Sequence, residues 1–243
     1  MSTESVSKRL QAIASEIPQQ TRVADIGTDH GYLPIHLVKN HRAEWVLAAD
    51  VNDGPLQTAA NHVQAEGLMS HIETRVGSGL TVIEEEDEID VVVIAGMGGV
   101  LIANILEEGL PVLNKVKRLV LQPNLKACDV RTWMLRHGWQ LINEQIVEED
   151  GRIYEILTAE KGDPLSPYGA LEAQREAGVL FGPYLIKKQP APFLKKWKRE
   201  KENWKRVLQQ LEHAADPALV SRKQSELERK INLLEEVLQH ETS

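Results

Sequence analysis

A single cysteine, Cys128, stands in the entire chain, so no internal disulfide can form and a cysteine-based zinc cluster is excluded. Such a thiol is expected to be buried and inert, in the reducing environment of a cytoplasm. Nowhere do eighteen apolar residues follow one another, and the opening MSTESVSKRLQAIASEIP lacks the apolar stretch of a signal peptide. A soluble cytoplasmic protein is therefore expected, with no membrane partner and no metal. Aromatic residues are scarce too, at 5% against 42% apolar residues overall, which leaves enough for one full core and little to spare. For 243 residues this means one main domain with an appendage, and it excludes disorder and collagen-like structure.

Charge is distributed unevenly. The net charge of −8 combines −12 over residues 1–184 with +4 over residues 185–243. Within residues 185–206, Lys187, Lys188, Lys195, Lys196, Lys198, Arg199, Lys201, Lys205 and Arg206 face only Glu200 and Glu202, a local net of +7. Such a stretch attracts polyanions even on an acidic protein.

Short β-branched runs alternate with amphipathic stretches from Val23 to Thr158, the pattern of a parallel sheet covered by helices. Strands are expected at 23–26, 45–50, 72–76, 89–95 and 118–122, each leading into a helix. The fourth, IDVVVIA, is apolar almost throughout and so belongs at the centre. INEQIVEEDGRIYEIL then places Asp150-Gly151 between two alternating segments, an antiparallel hairpin of strands at 139–147 and 152–159. An opening helix, SKRLQAIASEI, packs on the sheet. The arrangement resembles the α/β, seven-stranded Rossmann-like sheet of class I methyltransferases. It defines an expected catalytic domain at 1–160. The Gly/Pro/Ser-rich KGDPLSPYG opens a second domain, 161–243, where Trp197, Trp204 and Leu211 recur every seven residues, as do Val220, Leu227 and Leu234, and Ile231 and Leu238. That periodicity predicts an antiparallel coiled coil, its second helix capped by Asp216 and opened by Pro217.

Chemistry-bearing residues gather at the expected strand ends, where open α/β sheets bind ligands. The first strand ends in DIGTDHGY, with Gly27 and Gly31 about Asp29 and no G-x-G-x-x-G. A carboxylate in the turn repels a pyrophosphate and suits a cationic cofactor; S-adenosylmethionine, with its sulfonium and ammonium, is one. Asp25 lies in this turn, and Asp50, followed by Val51, ends the second strand where it can accept from both ribose hydroxyls. The bland alternative for each aspartate is a helix cap or turn residue. Gly77, Ser78 and Gly79 after the third strand let backbone approach an adenine edge without a β-carbon. The fourth strand ends in Ala95 and Gly96, then Met97, Gly98 and Gly99. There the glycines give backbone access and Met97 a soft wall for a base, unless they merely build a turn and fill core. His30 and Tyr32 contact the cofactor's methionine arm, or else cap and solvate a helix start. For Gln122, Pro123 and Asn124, a cap on the following helix is favoured over an acceptor rim.

Taken in order, DIGTDHGYLP, IAGMGG, NILEEG, LVLQPN and EEDGRIYEIL resemble the bacterial TrmK-type tRNA adenine-N1-methyltransferases over essentially the whole chain. The resemblance implies methylation of N1 of adenine 22 in tRNA, with S-adenosylmethionine as donor, and Asp29 at the middle of the first motif is shared with that family. N1 of neutral adenine already carries an in-plane lone pair, so positioning supplies most of the catalysis. Asp29 and Met97 are the expected catalytic residues. Asp29 accepts from the adenine N6 amine, or alternatively binds the cofactor ammonium or orders its own loop. The basic stretch grips the tRNA backbone, with both tryptophans in the coiled-coil seam. Rival readings are a small-molecule methyltransferase whose coiled coil serves dimerisation and a non-catalytic RNA-binding protein. The sequence leaves the protein either a monomer or a weak dimer.

Overall fold

The structure is a computed structural model, which describes residues 6–211 and 217–239. The chain forms two compact units, Met1–Pro167 and Tyr168–Ser243. The division falls inside the Gly/Pro/Ser-rich stretch, and the last strand of the sheet ends at Lys161.

The first unit opens with helix α1, Lys8–Ser15, capped by the Ser7 hydroxyl, which accepts the Leu10 N–H at 3.2 Å. There follow β1 (Thr21–Ile26), α2 (Tyr32–Lys39), β2 (Ala43–Asp50), α3 (Asp53–Ala65), β3 (Ile72–Val76), β4 (Val91–Gly98), α4 (Gly99–Glu108), α5 (Leu110–Leu113), β5 (Arg118–Leu125), α6 (Ala127–Arg136), β6 (Trp139–Glu149) and β7 (Arg152–Lys161). The strands make one seven-stranded sheet in the order β3-β2-β1-β4-β5-β7-β6. Pairing is parallel up to β5 and antiparallel from β5 through β7 to β6. The direction of chain progress reverses between β1 and β4, so the ends of these two strands border the crevice where such sheets bind ligands. Asp150 and Gly151, with φ of 49° and 74°, make the two-residue turn that the right-handed twist of a hairpin favours.

Burial follows the expected apolar runs. Val91, Val92, Val93 and Ile94 of β4 are all buried, as a strand covered on both faces requires. Val91 and Val93 pack with Ile13 of α1, Ile17 beyond it, and Leu33 and Leu37 of α2. On the other side α4 and α6 lie against β5 and bury Ile102, Leu106, Val130 and Met134.

Three local expectations are corrected. The third strand leads into two short 3₁₀ turns, Gly79–Val82 and Glu85–Asp87, not a helix. The acidic run TVIEEEDE is pinned by Arg75, which donates to the Val82 carbonyl at 2.6 Å and to Asp87 Oδ2 at 2.7 Å. Second, β4 and β5 run on through AGMG and QPNL, pairing Met97 with Pro123 and Gly98 with Leu125. Gln122, Pro123 and Asn124 are therefore strand residues, and the residue that caps α6 is Lys126, in the left-handed conformation and without a side-chain cap. Third, Cys128, on the first turn of α6, is half-buried rather than fully buried.

At the start of α4, a β-carbon on Gly99 would collide with the carbonyl oxygen of Lys126. Backbone cannot yield as a side-chain tip can, so Gly99→Ala is expected to destabilise the protein by about 1–3 kcal/mol, read from urea unfolding. An unchanged midpoint would show that the approach of α4 to the β5–α6 turn is loose.

In the second unit α7 (Glu172–Phe181), α8 (Pro183–Lys188), α9 (Ala191–Leu211) and α10 (Pro217–Gln239) follow in order. Lys201 pairs with Glu235 at 2.7 Å and Gln189 Nε2 donates to the Val237 carbonyl at 3.0 Å, so α9 and α10 run antiparallel. Trp197 is buried edge-on against Phe181 at 4.6 Å, and Leu227, Ile231 and Leu234 are buried on α10. Trp204, Leu211, Val220 and Leu238 are only half-buried, so the seam is driest where Phe181 and Phe193 supplement it. The expected Asp216 cap lies outside the described residues.

Candidate active site

The turn between β1 and α2 is built on two glycines in the left-handed region, Gly27 at φ +79° and Gly31 at φ +73°. The N–H groups of Gly27 and Thr28 both donate to the Ala49 carbonyl, at 2.8 and 2.9 Å, which ties the turn to β2. A β-carbon on Gly31 would press on Ala59 of α3, so this glycine also permits close helix approach.

Asp25 sits at the floor of this turn and is 5% exposed. Burial pushes its carboxyl up to about 6, and the neighbouring Asp29 and Asp50 add to the rise, while the Thr28 hydroxyl and Arg9 oppose it. The Thr28 hydroxyl lies close enough to act on that carboxyl, yet it is buried without a partner at hydrogen-bond geometry. A carboxylate held out of water beside an orphaned hydroxyl is a site that a cationic, hydrogen-bonding ligand would complete.

Asp29 lies at the rim. Its side chain is 78% exposed, with His30 Nε2 3.1 Å from Oδ1. His30 takes a left-handed φ of 58°, unusual for a residue with a β-carbon, and its carbonyl lies 2.9 Å from His62 Nδ1. The rings of His30, Tyr32 and His62 form a triangle with centroids 5.6–6.4 Å apart. His62, on α3, carried no signal in the sequence because nothing there places it beside the turn.

At the end of β2, Asp50 Oδ1 accepts from the backbone N–H of Asn52 at 2.7 Å and from its side-chain amide at 3.1 Å. Asp50 thus serves as a turn residue, and ribose recognition there would fall to Oδ2. Val51 beside it is exposed. After β3 the reason for glycine differs from that expected. A β-carbon on Gly77 would collide with Val82, and Gly79 combines φ +54° with close approach to Ile105. At Gly77 and Gly79 the space a β-carbon would take is filled by protein, which leaves only their backbone groups to face outward.

The ends of β4 and β5 face the first turn. A β-carbon on Gly27 would collide with the terminal methyl of Met97, so the Met97 side chain lies over the glycine turn. Ala95 pairs with Gln122, and Gly96 stands at a register shift before Met97. Arg9, Gln122 and Asn124 surround this bulge; for Gln122 and Asn124 the sequence favours a helix cap over an acceptor rim, whereas Arg9 gives no signal there because the opening helix reads as packing alone.

Two hollows lie elsewhere. One of about 550 Å³ between α7 and α10 is lined by Glu172, Glu176, Glu228 and Glu236 together with Arg229, a net acidic lining unsuited to a polyanion. Another of about 410 Å³ lies between α4 and α6. Among the described residues no group of three or more His, Cys, Asp and Glu side chains could hold a metal ion, and no helix is long and apolar enough to cross a membrane.

A parallel sheet reversing between β1 and β4, ending in an antiparallel hairpin and carrying acidic residues at the ends of β1 and β2, is the Rossmann-like topology of the class I methyltransferases. The sequence profile described as TrmK, tRNA (adenine(22)-N(1))-methyltransferase, matches residues 23–236. The chain belongs to that family. It is 45% identical over 97% of its length to the tRNA (adenine(22)-N(1))-methyltransferase of Bacillus subtilis, covering 98% of that protein. The crystal structure of the B. subtilis m1A22 tRNA methyltransferase superposes with a TM-score of 0.88, covering 96% of this chain and 98% of that one at 44% identity. A Streptococcus pneumoniae relative, 41% identical with a TM-score of 0.84 over 96% of this chain and 99% of that one, was solved in complex with S-adenosyl-L-methionine.

Proposed function

We propose that the protein transfers a methyl group from S-adenosylmethionine to N1 of adenine 22 in tRNA. The observation that carries this reading is the meeting, on one sheet edge, of the buried Asp25 turn and the Gly96–Met97 bulge, in a chain that matches the family from residue 23 to 236. When bound, the donor supplies a methyl group made electrophilic by its sulfonium. Asp25 and the orphaned Thr28 hydroxyl fit its ammonium end, Gly27, Gly31, His30 and Tyr32 shape the methionine arm, and Asp50 and Val51 fit the ribose. Gly77, Ser78 and Gly79 offer backbone to the adenine ring, and Ala95 and Gly96 close the floor.

The acceptor needs no base, because N1 of adenine presents a lone pair in the ring plane. Asp29, at the rim and oriented by His30, accepts a hydrogen bond from the N6 amine, turns N1 toward the methyl and favours the cation that forms. Met97 gives the base a soft wall. Alignment of this kind is worth roughly 7–11 kcal/mol in favourable cases. N1 is occupied in a paired base, so the target adenine must be unpaired or extruded, at a cost of a few kcal/mol.

Residues 1–160 would then carry catalysis and residues 161–243 would hold tRNA. Lys195, Lys198, Arg199, Lys205 and Arg206 are exposed on the face of α9 opposite buried Phe193 and Trp197, whereas Lys201 is engaged by Glu235. Lys187, Lys188 and Lys196 lie over the rings of Tyr184 or Trp197. Replacing Lys198 and Arg199 by Ala is expected to weaken tRNA binding and flatten the slope of log K against log salt by about 0.7–0.9 per lost phosphate contact. Filter binding between low and high salt reads this, and an unchanged slope would make that face merely solvated.

The activity itself is tested with pure protein, labelled donor and bulk unmodified tRNA, followed by mapping of reverse-transcription stops. A stop at adenine 22 that vanishes when N1-methyladenine is rearranged to its N6 isomer is the expected result. Label elsewhere, or none, overturns the assignment.

A further inference from the structure

Gly96 is a bulge. The β4–β5 register shifts between Ala95 and Met97, and Gly96 takes φ +80°, so its peptide groups fall outside the regular ladder. Side chains of β5 replace the missing partners. The Gly96 N–H donates to Gln122 Oε1 at 3.2 Å, the Gly96 carbonyl accepts from Asn124 Nδ2 at 2.6 Å, and Gln122 Nε2 donates to Asn124 Oδ1 at 3.0 Å.

Two amides in series can point either way, and only one direction serves the bulge. Arg9 decides which. Its Nη1 donates to Gln122 Oε1 at 2.9 Å, and a guanidinium has donors only. The Gln122 oxygen must therefore face Arg9 and the Gly96 N–H, its nitrogen must face Asn124 Oδ1, and the Asn124 nitrogen is left for the Gly96 carbonyl. Arg9 is in turn steadied over the ring of Tyr154, 5.5 Å from its centroid.

We propose that Arg9 is a positioning residue for methyl transfer: it locks the Gln122–Asn124 amide relay in the one direction that pairs both Gly96 peptide groups, which holds the Gly96 bulge and so keeps Met97 against Gly27, where the donor and acceptor loops meet. The inference rests on the proposed activity and deepens it. A helix outside the sheet thereby aligns the acceptor side without touching the reacting atoms.

The test uses the full chain at pH 8, above the Asp25 range, so that Asp25 is ionised in the wild type. Arg9→Met is expected to lower kcat on tRNA by about 10–100-fold, the scale of a small misplacement. The affinity for S-adenosylhomocysteine falls by a smaller factor than kcat, because, of the groups assigned to the donor, the relay bonds only the floor residue Gly96 and none in the β1–α2 turn. The ¹⁵N–¹H signal of Gly96 shifts and its amide exchanges faster. Arg9→Lys, also donor-only, retains most of kcat, whereas Arg9→Gln, which can offer an oxygen or a nitrogen, does not. Wild-type kcat in Arg9→Met, or an unmoved Gly96 signal, overturns the relay. A loss confined to cofactor affinity does so as well. If the wild type methylates no tRNA, the activity assignment falls, and the Gly96 signal still decides the relay.

Discussion

Replacing Asp25 with Asn is expected to make the ligand-free protein more stable while weakening its hold on S-adenosylmethionine. Burial raises the Asp25 carboxyl from the ordinary 3.8 to about 6. Between those values the folded chain keeps a proton that the unfolded chain has released, so stability falls as pH rises through this window, and the deficit is complete above it. At pH 8 it amounts to about 3 kcal/mol, at roughly 1.4 kcal/mol per unit. Asn carries no charge to desolvate, and its amide can donate to the orphaned Thr28 hydroxyl. The same substitution removes the carboxylate that fits a cation, so cofactor affinity should drop at least about tenfold. For the wild type, ligand binding must expel the proton at low pH, so affinity should fall by up to about tenfold per unit below pH 6. Calorimetry across pH 5–8 with parallel thermal unfolding reads both effects. A pH-independent affinity, or an Asn variant less stable than the wild type at pH 8, would show that Asp25 serves the fold instead of the ligand.

Arg131→Met should produce the largest loss of stability of any single change considered. Arg131 is fully buried on α6, donates through Nε to Glu144 Oε1 of β6 at 2.7 Å, and also bonds Glu155 of β7. Removing the cation strands two buried carboxylates. Breaking a buried ion pair in this way costs about 3–5 kcal/mol. Replacing all three residues with apolar side chains of similar volume is expected to recover most of that loss, since the desolvation of three charges disappears with them. Urea unfolding of the single and triple variants separates the cases. A single variant within about 1 kcal/mol of wild type would mean that water or a rearranged side chain reaches the carboxylates.

Some of this architecture was legible in the sequence and some was not. β4 could be placed because VVVI is apolar on both faces, and the hairpin because Asp150-Gly151 demands two positive φ values. These are local constraints. Arg131 between Glu144 and Glu155 joins residues 13 and 24 positions apart, and no pattern distinguishes three buried charges from three exposed ones before the elements pack. The same holds at the site. Asp25, Gly27, Gly31 and Asp50 announce themselves by ending β-branched runs, whereas Arg9 reaches Gln122 across 113 residues. The bulge at Gly96 hid behind the expectation that a glycine cluster ends a strand, and pairing with QPNL carries the strand on.

The topology also has an evolutionary consequence. In the proposed assignment every group that meets the donor, apart from the floor at Ala95 and Gly96, precedes residue 80, and the groups that frame the acceptor base, apart from Asp29 and Arg9, fall between residues 95 and 124. The two sets come together only because β1 and β4 are neighbours. A lineage could therefore exchange one contiguous cassette, from β4 to the end of β5, and acquire a new methyl acceptor while inheriting its donor chemistry nearly unaltered.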